Sequence, residues 1–276
     1  MPISVLILTF DEEKNIADCL RSVDWSDDVV VLDSYSTDAT MDIALGHGAR
    51  VERRRFDDYA SQRNFGLREI VFRNPWVLML DADERVPADL RDEIIETCAH
   101  APASICMYRL RRRDHLYGHW IRRSSGYPTW FGRVARVGRV WLERPINEEF
   151  KTDGQTKALT GHLDHYPFNK GFHEWILKHD RYSTMEAQLL VTSTARSWHW
   201  RSLMSSDRTR RRSALKSLVY ALPARPLAMF VALYFFRGGI LEGRAGLTFS
   251  LLRAWYEFMI DCKVRELKRR AQGLPV

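Results

Sequence analysis

The first ninety residues alternate between short apolar runs and stretches of helical period. That alternation restricts the fold more than any other feature of the chain. Ile3-Ser4-Val5-Leu6-Ile7-Leu8 is a nearly continuous apolar run, the pattern of a strand covered on both faces. Ile16, Leu20 and Val23 then recur at i, i+4 and i+7, a helical spacing. Val29 to Leu32 reads as a second buried strand, Thr37 to His47 as a helix and Ala49 to Glu52 as a third, edge-like strand. Tyr59 to Val71 reads as a helix, Trp76 to Leu80 as a fourth strand, and Ala88 to Ala99 as a helix. Repeats of this kind predict an α/β fold with a doubly wound, mostly parallel, Rossmann-like sheet and right-handed crossovers.

Ligands of such sheets bind beyond the carboxyl ends of the strands. The ends here are Thr9-Phe10-Asp11-Glu12, Asp33-Ser34-Tyr35-Ser36-Thr37-Asp38 and Asp81-Ala82-Asp83-Glu84. All three are acidic and polar, so they are expected to meet on one rim. Asp81 and Asp83, one residue apart at a strand end, suit a hard divalent cation such as magnesium or manganese, which takes oxygen ligands and keeps substrate phosphates in its shell. A cation there would neutralise a departing pyrophosphate. The plainer reading is a solvated loop in which Asp83 and Glu84 cap the following helix. Asp33 is placed to accept hydrogen bonds from a base or ribose, or Ser34, Ser36 and Asp38 simply cap the helix beginning near Thr37. Arg63 is a phosphate contact or a helix-surface charge.

The formal net charge of +7 and pI of about 9.3 favour anionic partners. The excess is uneven, with one cluster at Arg109, Arg111, Arg112 and Arg113 and another at Arg208, Arg210, Arg211 and Arg212. No helix-turn-helix, zinc or RNA-binding motif accompanies them, so nucleic acid is not the expected partner. The chain also lacks GxxxxGK[ST] and GxGxxG, which disfavours nucleotide kinases and dehydrogenases. Cys19, Cys98, Cys106 and Cys262 are scattered without CxxC spacing, as expected of free thiols in a reducing compartment. The first apolar run is too short for a signal peptide and has no basic stretch before it, so the expected location is cytoplasmic.

From Cys106 to Phe150 the pattern turns basic and aromatic, with antiparallel strands expected at 105–110, 133–137 and 139–142. Gly171 to Ala195 predicts a helix, Ser205 to Lys216 a polar linker or helix start, and Leu218 to Tyr256 is the most apolar stretch. Within it, Pro226 to Phe236 is shorter than the ~20 residues a membrane-spanning helix needs. Arg225, Arg237, Glu242 and Arg244 bracket and interrupt it, and Tyr234, Phe235, Phe236, Trp255, Tyr256 and Phe258 supply interfacial aromatics. These features predict an in-plane membrane-surface element, the competing reading being a helical hairpin packed on the catalytic domain. The expected organisation is a catalytic domain at 1–204, with a nucleotide-binding half at 1–100 and an acceptor-binding half at 101–204, and an amphipathic helical membrane-associating region at 205–276.

Four ordered motifs carry a resemblance over nearly the whole chain. They are Thr9-Phe10-Asp11-Glu12-Glu13, Val31-Leu32-Asp33-Ser34-Tyr35-Ser36-Thr37-Asp38-Ala39-Thr40, Gln62-Arg63-Asn64-Phe65-Gly66 and Leu80-Asp81-Ala82-Asp83-Glu84. Together they resemble glycosyltransferase family 2, most closely the branch of the lipopolysaccharide core glucosyltransferases. The resemblance implies a GT-A fold, a nucleotide-diphosphate sugar donor (UDP-glucose or another UDP-hexose), a divalent metal and inversion at the anomeric carbon. It implies that Thr9, Glu12, Asp33, Ser34 and Ala82 line the donor pocket, that Arg63 approaches the phosphates or orders the loop, that Asp81 faces ribose and metal, and that Asp83 ligates the metal.

An inverting transfer needs a general base for the acceptor hydroxyl. Arg144-Pro145-Ile146-Asn147-Glu148-Glu149 resembles the family's Val-His-Glu element, with Asn147 where histidine is common. Glu148 is the leading base and Glu149 the second choice. Trp130-Phe131-Gly132-Arg133 resembles the family's Arg-Leu-Phe-Arg segment without its first arginine, and Arg133 is expected at the pyrophosphate or the acceptor. His165 is the preferred additional metal ligand over His162. The implied acceptor is a lipopolysaccharide-core or other lipid-linked glycan at the inner face of the cytoplasmic membrane. A polyprenyl-phosphate sugar synthase of the same fold is the alternative enzyme.

Overall fold

Burial explains why the first strands carry no alternation. In a computed structural model that describes residues 3–143, 149–193 and 224–276, strand β1 (Ile3–Thr9) lies between β2 (Val29–Asp33) and β4 (Trp76–Asp81), parallel to both. Strand β3 (Arg50–Arg53) pairs parallel to the outer side of β2. Alternate residues of β1 feed two separate cores. Ile3, Val5 and Ile7 pack with Ile16, Leu20, Leu78, Leu80, Leu90 and Ile94, while Leu6 packs with Val30, Leu32, Leu67, Val77 and Met79. Covered on both sides, such a strand has no position for a polar side chain to reach water.

The crossover helices are α1 (Ile16–Arg21), α2 (Thr40–Gly46) and α3 (Tyr59–Glu69), followed by α4 (Ala88–Ala99). Helix α2 begins three residues later than its sequence pattern suggests, because residues 37–39 bond to the preceding loop instead: Thr37 N donates to Asp11 at 2.7 Å and Ala39 N to Glu13 at 3.3 Å. Helix α4 starts at an N-cap Pro87 with no side-chain cap, so neither Asp83 nor Glu84 serves as its cap.

Beyond β4 the sheet turns mixed. Strand β5 is the pair Glu84–Arg85, β6 spans Ile105–Leu116, β7 is His119–Trp120, β8 spans Trp130–Arg136 and β11 spans Gln155–His165. The order is β3-β2-β1-β4-β8-β6-β11-β5, with β7 on β6, and β9 (Val140–Glu143) and β10 (Glu149–Thr152) form a separate two-stranded sheet. Strand β5 follows β4 by two residues in the chain yet pairs with β11 at the far end of that order, Glu84 opposite His165 and Arg85 opposite Asp164. Residues 82–83 therefore carry the chain from the end of β4 to the end of β11. Strand β11 was not anticipated, since its eleven residues, Gln155 to His165, have no clean two-residue apolar alternation.

The chain divides into two compact units: Met1–Trp120 with Tyr127–Lys170, and Ile121–Gly126 with Gly171–Val276. The boundary expected at 204/205 and the Arg208–Arg212 cluster lie outside the described residues. The helix expected at 171–195 is α5 (Phe172–Ser193), and it groups with the C-terminal helices. These are α6 (Arg225–Val231, extended by a π turn over Ala232–Phe236), a 3-10 turn at Gly239–Glu242, and α7 (Gly243–Ala271).

Arg225 fixes the start of α6 to α7 through ion pairs with buried Glu257 and half-buried Asp261, both at 3.0 Å. Lys263 binds Asp180 of α5 at 2.6 Å. The turn and α7 touch through glycine: a Cβ on Gly246 would lie 2.1 Å from the Gly239 carbonyl oxygen. Among the described residues no single helix is long and apolar enough to cross a membrane; α6 and α7 pass that test only as a pair bent by 69°.

Candidate active site

The ends of β1 and β2 are stitched together by the residues singled out in the sequence. Thr9 lies opposite Asp33 in the parallel ladder, and its hydroxyl donates to Asp33 Oδ1 at 3.0 Å. Ser36 N donates to the other oxygen, Oδ2, at 2.9 Å. The two loops turn sharply at non-glycine residues, Asp11 with φ 51° and Tyr35 with φ 65°, a left-handed conformation that costs about 1–2 kcal/mol for a residue with a side chain. Ser34 is buried, and its hydroxyl accepts from Gln62 of α3 at 3.1 Å. Glu12 receives Asn15 Nδ2 at 2.8 Å and Lys170 Nζ at 3.2 Å. Burial, with the negative charge of Asp83 adding to it, raises the Glu12 carboxyl above its ordinary range.

Ala82 is buried, which leaves Asp81 and Asp83 as the polar members of the triplet. Asp81 is gripped from two sides, by Arg63 on Oδ1 at 2.7 Å and by Arg133 on Oδ2 at 2.8 Å. Arg133 also reaches Glu84 Oε1 at 2.6 Å, and Glu84 Oε2 accepts from the Asp81 backbone N at 3.0 Å. Glu84 has no exposed surface. Burial pushes its carboxyl up in spite of Arg133, while the carboxylates of Glu84 and Asp81 outweigh burial and raise Arg133. Arg63 is therefore a buried ion-pair partner, not a helix-surface charge. Arg63, expected at the phosphates or ordering the loop, and Arg133, expected at the pyrophosphate or the acceptor, are both directed at Asp81 and orient that carboxylate.

The corner where β5 meets β11 assembles the third part. His165 Nε2 lies 3.2 Å from Asp83 Oδ2, and His165 Nδ1 lies 2.7 Å from Asp114 Oδ1. The ladder that pairs His165 with Asp114 of β6 and with Glu84 of β5 sets this arrangement. Arg112 completes it, 3.0 Å from Asp114. Burial works against ionisation of Asp114, but Arg112 and His165 outweigh it and hold its pKa below the ordinary value. Burial and Arg112 disfavour a charged His165, yet Asp83 and Asp114 prevail and raise its pKa.

Among the described residues no three His, Cys, Asp or Glu side chains are grouped to hold a metal ion by themselves. The pair Asp83–His165 still fits a hard divalent cation. Adjacent ligands of an octahedral ion with ~2.1 Å bonds stand ~3.0 Å apart, close to the 3.2 Å observed. A ligating imidazole that gives its other N–H to a carboxylate, as His165 can to Asp114, has the supporting contact such ligands usually have. Two protein ligands leave room for phosphate oxygens and water, the usual surroundings of magnesium at a nucleotide.

His162, three residues earlier on β11, falls on the other side of the strand and bonds to the Tyr127 hydroxyl at 2.6 Å. Glu148 lies outside the described residues. Glu149 opens β10 and pairs with Lys151 at 2.6 Å. Asp114 and Lys170 lie at the site and were not singled out in the sequence, and Arg112 was named there only as a member of the basic cluster. Asp114 closes the arginine cluster of β6, and only strand pairing places it against His165.

A model of the family described as Glycosyl transferase family 2 matches residues 4–172. The chain belongs to that family. Among curated proteins, this family 2 glycosyltransferase is 28% identical over 273 residues to the lipopolysaccharide core biosynthesis glycosyltransferase LpsC of Rhizobium meliloti, covering 96% of this chain and 92% of that protein. It is also 25% identical to an uncharacterized glycosyltransferase of Rickettsia typhi, covering 99% and 89% of the two chains. Among solved structures, the mannosyltransferase PcManGT of Pyrobaculum calidifontis, held in complex with GDP-Man and Mn2+, superposes with a TM-score of 0.54 at 15% identity, covering 95% of this chain and 86% of that one. The GT-A fold expected from the sequence motifs is thus the fold of this transferase.

Proposed function

We propose that this family 2 enzyme is an inverting, metal-assisted hexosyltransferase that moves a sugar from a UDP-hexose, of which UDP-glucose is the leading candidate, to a lipopolysaccharide-core or other lipid-linked glycan at the inner face of the cytoplasmic membrane. The observation that carries it is the Asp83–His165–Asp114 line, together with the Thr9–Asp33 bridge at the ends of β1 and β2. The relationship to LpsC over nearly the full length of both chains supports the acceptor class, and the GDP-Man and Mn2+ bound by PcManGT support a nucleotide-sugar donor and a divalent metal.

In this reading Thr9, Glu12, Asp33 and Ser34 receive the nucleoside at the strand ends, with Ala82 lining the pocket floor. Asp81, made rigid by Arg63 and Arg133, accepts from a ribose hydroxyl. Asp83 and His165 would hold a divalent cation, which offsets the charge gathering on the departing diphosphate. Glu148 takes the proton of the acceptor hydroxyl as its oxygen bonds to the anomeric carbon. The bond from that carbon to the diphosphate breaks on the opposite face, so the configuration inverts.

The test is a screen of nucleotide diphosphates and nucleotide sugars by thermal stabilisation, with and without manganese or magnesium. A ligand at 100 times its Kd should add about 2.7 kcal/mol of stability. Failure of every nucleotide to stabilise the protein with metal present overturns the reading. With a donor in hand, Glu148→Gln separates acceptor types: transfer to a sugar hydroxyl collapses, whereas transfer to a polyprenyl phosphate, which needs no strong base, is nearly unchanged.

A further inference from the structure

Among the described residues of the second unit, the bend between α6 and α7 presents the most exposed large apolar side chains outside the C-terminal tail. Phe235 and Phe236 close the π turn, Arg237 and a left-handed Gly238 (φ 77°) reverse the chain, and Ile240 and Leu241 follow on the 3-10 turn. Phe236 is 85% and Leu241 71% exposed. Four such side chains within seven residues exceed the scatter of single apolar residues that any surface shows. Arg244, Leu247, Leu251 and Phe258, all exposed, recur at offsets of 3, 7 and 14 along α7, which places them in one narrow stripe at 100° per residue running away from the bend.

Charge decides what this surface fits. Between Ala224 and Tyr256 the only acidic residue is Glu242, and its carboxylate is turned inward. Oε1 accepts from Arg123 N at 2.6 Å, and Oε2 accepts from Ser124 N at 3.1 Å and the Ser124 hydroxyl at 2.6 Å. Arg123, Arg237 and Arg244 remain exposed beside the apolar tip. Apolar side chains rimmed by arginines, with the local acid bonded internally, match the acyl boundary and phosphate layer of an anionic bilayer. A second protein would need its own acidic rim.

The packing beneath makes the tip a fixed wedge. Gly239 and Gly246 bring the turn against α7, and a Cβ on Gly239 would meet the Leu233 carbonyl at 2.9 Å and Ser124 Cβ at 3.1 Å. Residues 121–126, which leave the catalytic sheet between β7 and β8, are bound under the wedge by Glu242. The wedge is not a span. Twelve residues, Arg225 to Phe236, cover ~18 Å as a helix, well under the ~30 Å hydrocarbon core, and Arg237 and Arg244 at the bend belong at the headgroup level.

We propose that residues 235–241 are a membrane-inserting wedge, that Arg123, Arg237 and Arg244 bind lipid phosphates around it, and that this element is the anchor that holds the enzyme on an anionic bilayer. The claim sharpens the location given under the proposed function to one structural element. It rests on the second unit alone, so it stands or falls without reference to the donor.

The full-length protein is tested by flotation with vesicles of phosphatidylcholine containing about 30 mol% phosphatidylglycerol and with pure phosphatidylcholine vesicles. Wild type is expected to bind the anionic vesicles and to be released by salt. Phe236→Ser with Leu241→Ser should weaken binding at least about tenfold, and Arg237→Glu with Arg244→Glu should remove the preference for anionic lipid. Val71→Ser, which deletes an 82% exposed apolar side chain of the other unit, should change nothing. All variants should keep the wild-type melting temperature and nucleotide binding. Wild type that does not float, a serine double variant that floats as well as wild type, or a wild-type dimer that the double variant dissociates without any lipid binding would each overturn the wedge. Loss of nucleotide binding in wild type would instead count against the catalytic reading.

Discussion

Asp83 and His165 face each other at 3.2 Å although 82 positions separate them in the chain, because the two-residue strand β5 pairs with the end of β11. One ladder rung therefore joins the acidic triplet to the mixed half of the sheet. With Asp114 behind the imidazole, the corner has the ligand and supporting contact expected of a cation site.

Replacing Asp114 with Asn should leave the protein folded and weaken manganese binding about 10- to 100-fold, as loss of a contact behind a metal ligand typically does. Isothermal titration of manganese in the presence of a nucleoside diphosphate measures it. Asp83→Asn should remove the metal-dependent part of nucleotide stabilisation altogether. Retention of wild-type metal affinity in Asp83→Asn would move the site elsewhere.

Among the described residues Arg133 is the nearest guanidinium to buried Glu84, at 2.6 Å against 3.9 Å for Arg112, and it shares Asp81 with Arg63. Arg133→Met removes the close partner of buried Glu84, leaves Asp81 to Arg63, and should destabilise the fold by about 3–5 kcal/mol, read from the urea midpoint. Adding Glu84→Gln should recover part of the loss, since the neutral amide no longer needs the guanidinium. A double variant no more stable than the single would show that the loss is one of packing.

Gly246 has no room for a side chain, with the Gly239 carbonyl oxygen 2.1 Å from where its Cβ would sit. Gly246→Ala should cost about 1–3 kcal/mol and should loosen α6 and the turn from α7. Hydrogen exchange, faster over residues 225–242 than over β1 and β4, is the check.

His179 lies stacked against Trp175 with ring centroids 3.6 Å apart, and its Nδ1 is 2.8 Å from the Trp175 carbonyl. Burial lowers its pKa to about 4, below the ordinary ~6.5 of an unfolded histidine. The unfolded chain thus binds the proton more readily between those values. The stability this neutral imidazole permits is complete above about pH 6.5 and falls as the pH drops to about 4 and below, by about 3 kcal/mol. His179→Phe should flatten that part of the melting profile; an unchanged slope would assign the acid sensitivity to other groups.

The sequence by itself determined the parallel half of the fold and the residues that face its rim. Continuous burial of Ile3–Leu8 and Val29–Leu32 demands apolar side chains on both faces, so those strands announce themselves, and the strand-end rule then points to Thr9, Asp33, Asp81 and Asp83. The family motifs lie in the same segments. Pairing beyond β4 was not legible, because half-exposed strands such as Gln155–His165 tolerate polar residues at every other position and show no decisive pattern. Only the tertiary structure decided that β5 returns to β11, and with it the placing of His165 beside Asp83, the inclusion of Asp114, and the turning of Arg63 and Arg133 toward Asp81. Those contacts join residues 18 to 82 positions apart, and a linear pattern holds no record of the distances that strand pairing creates.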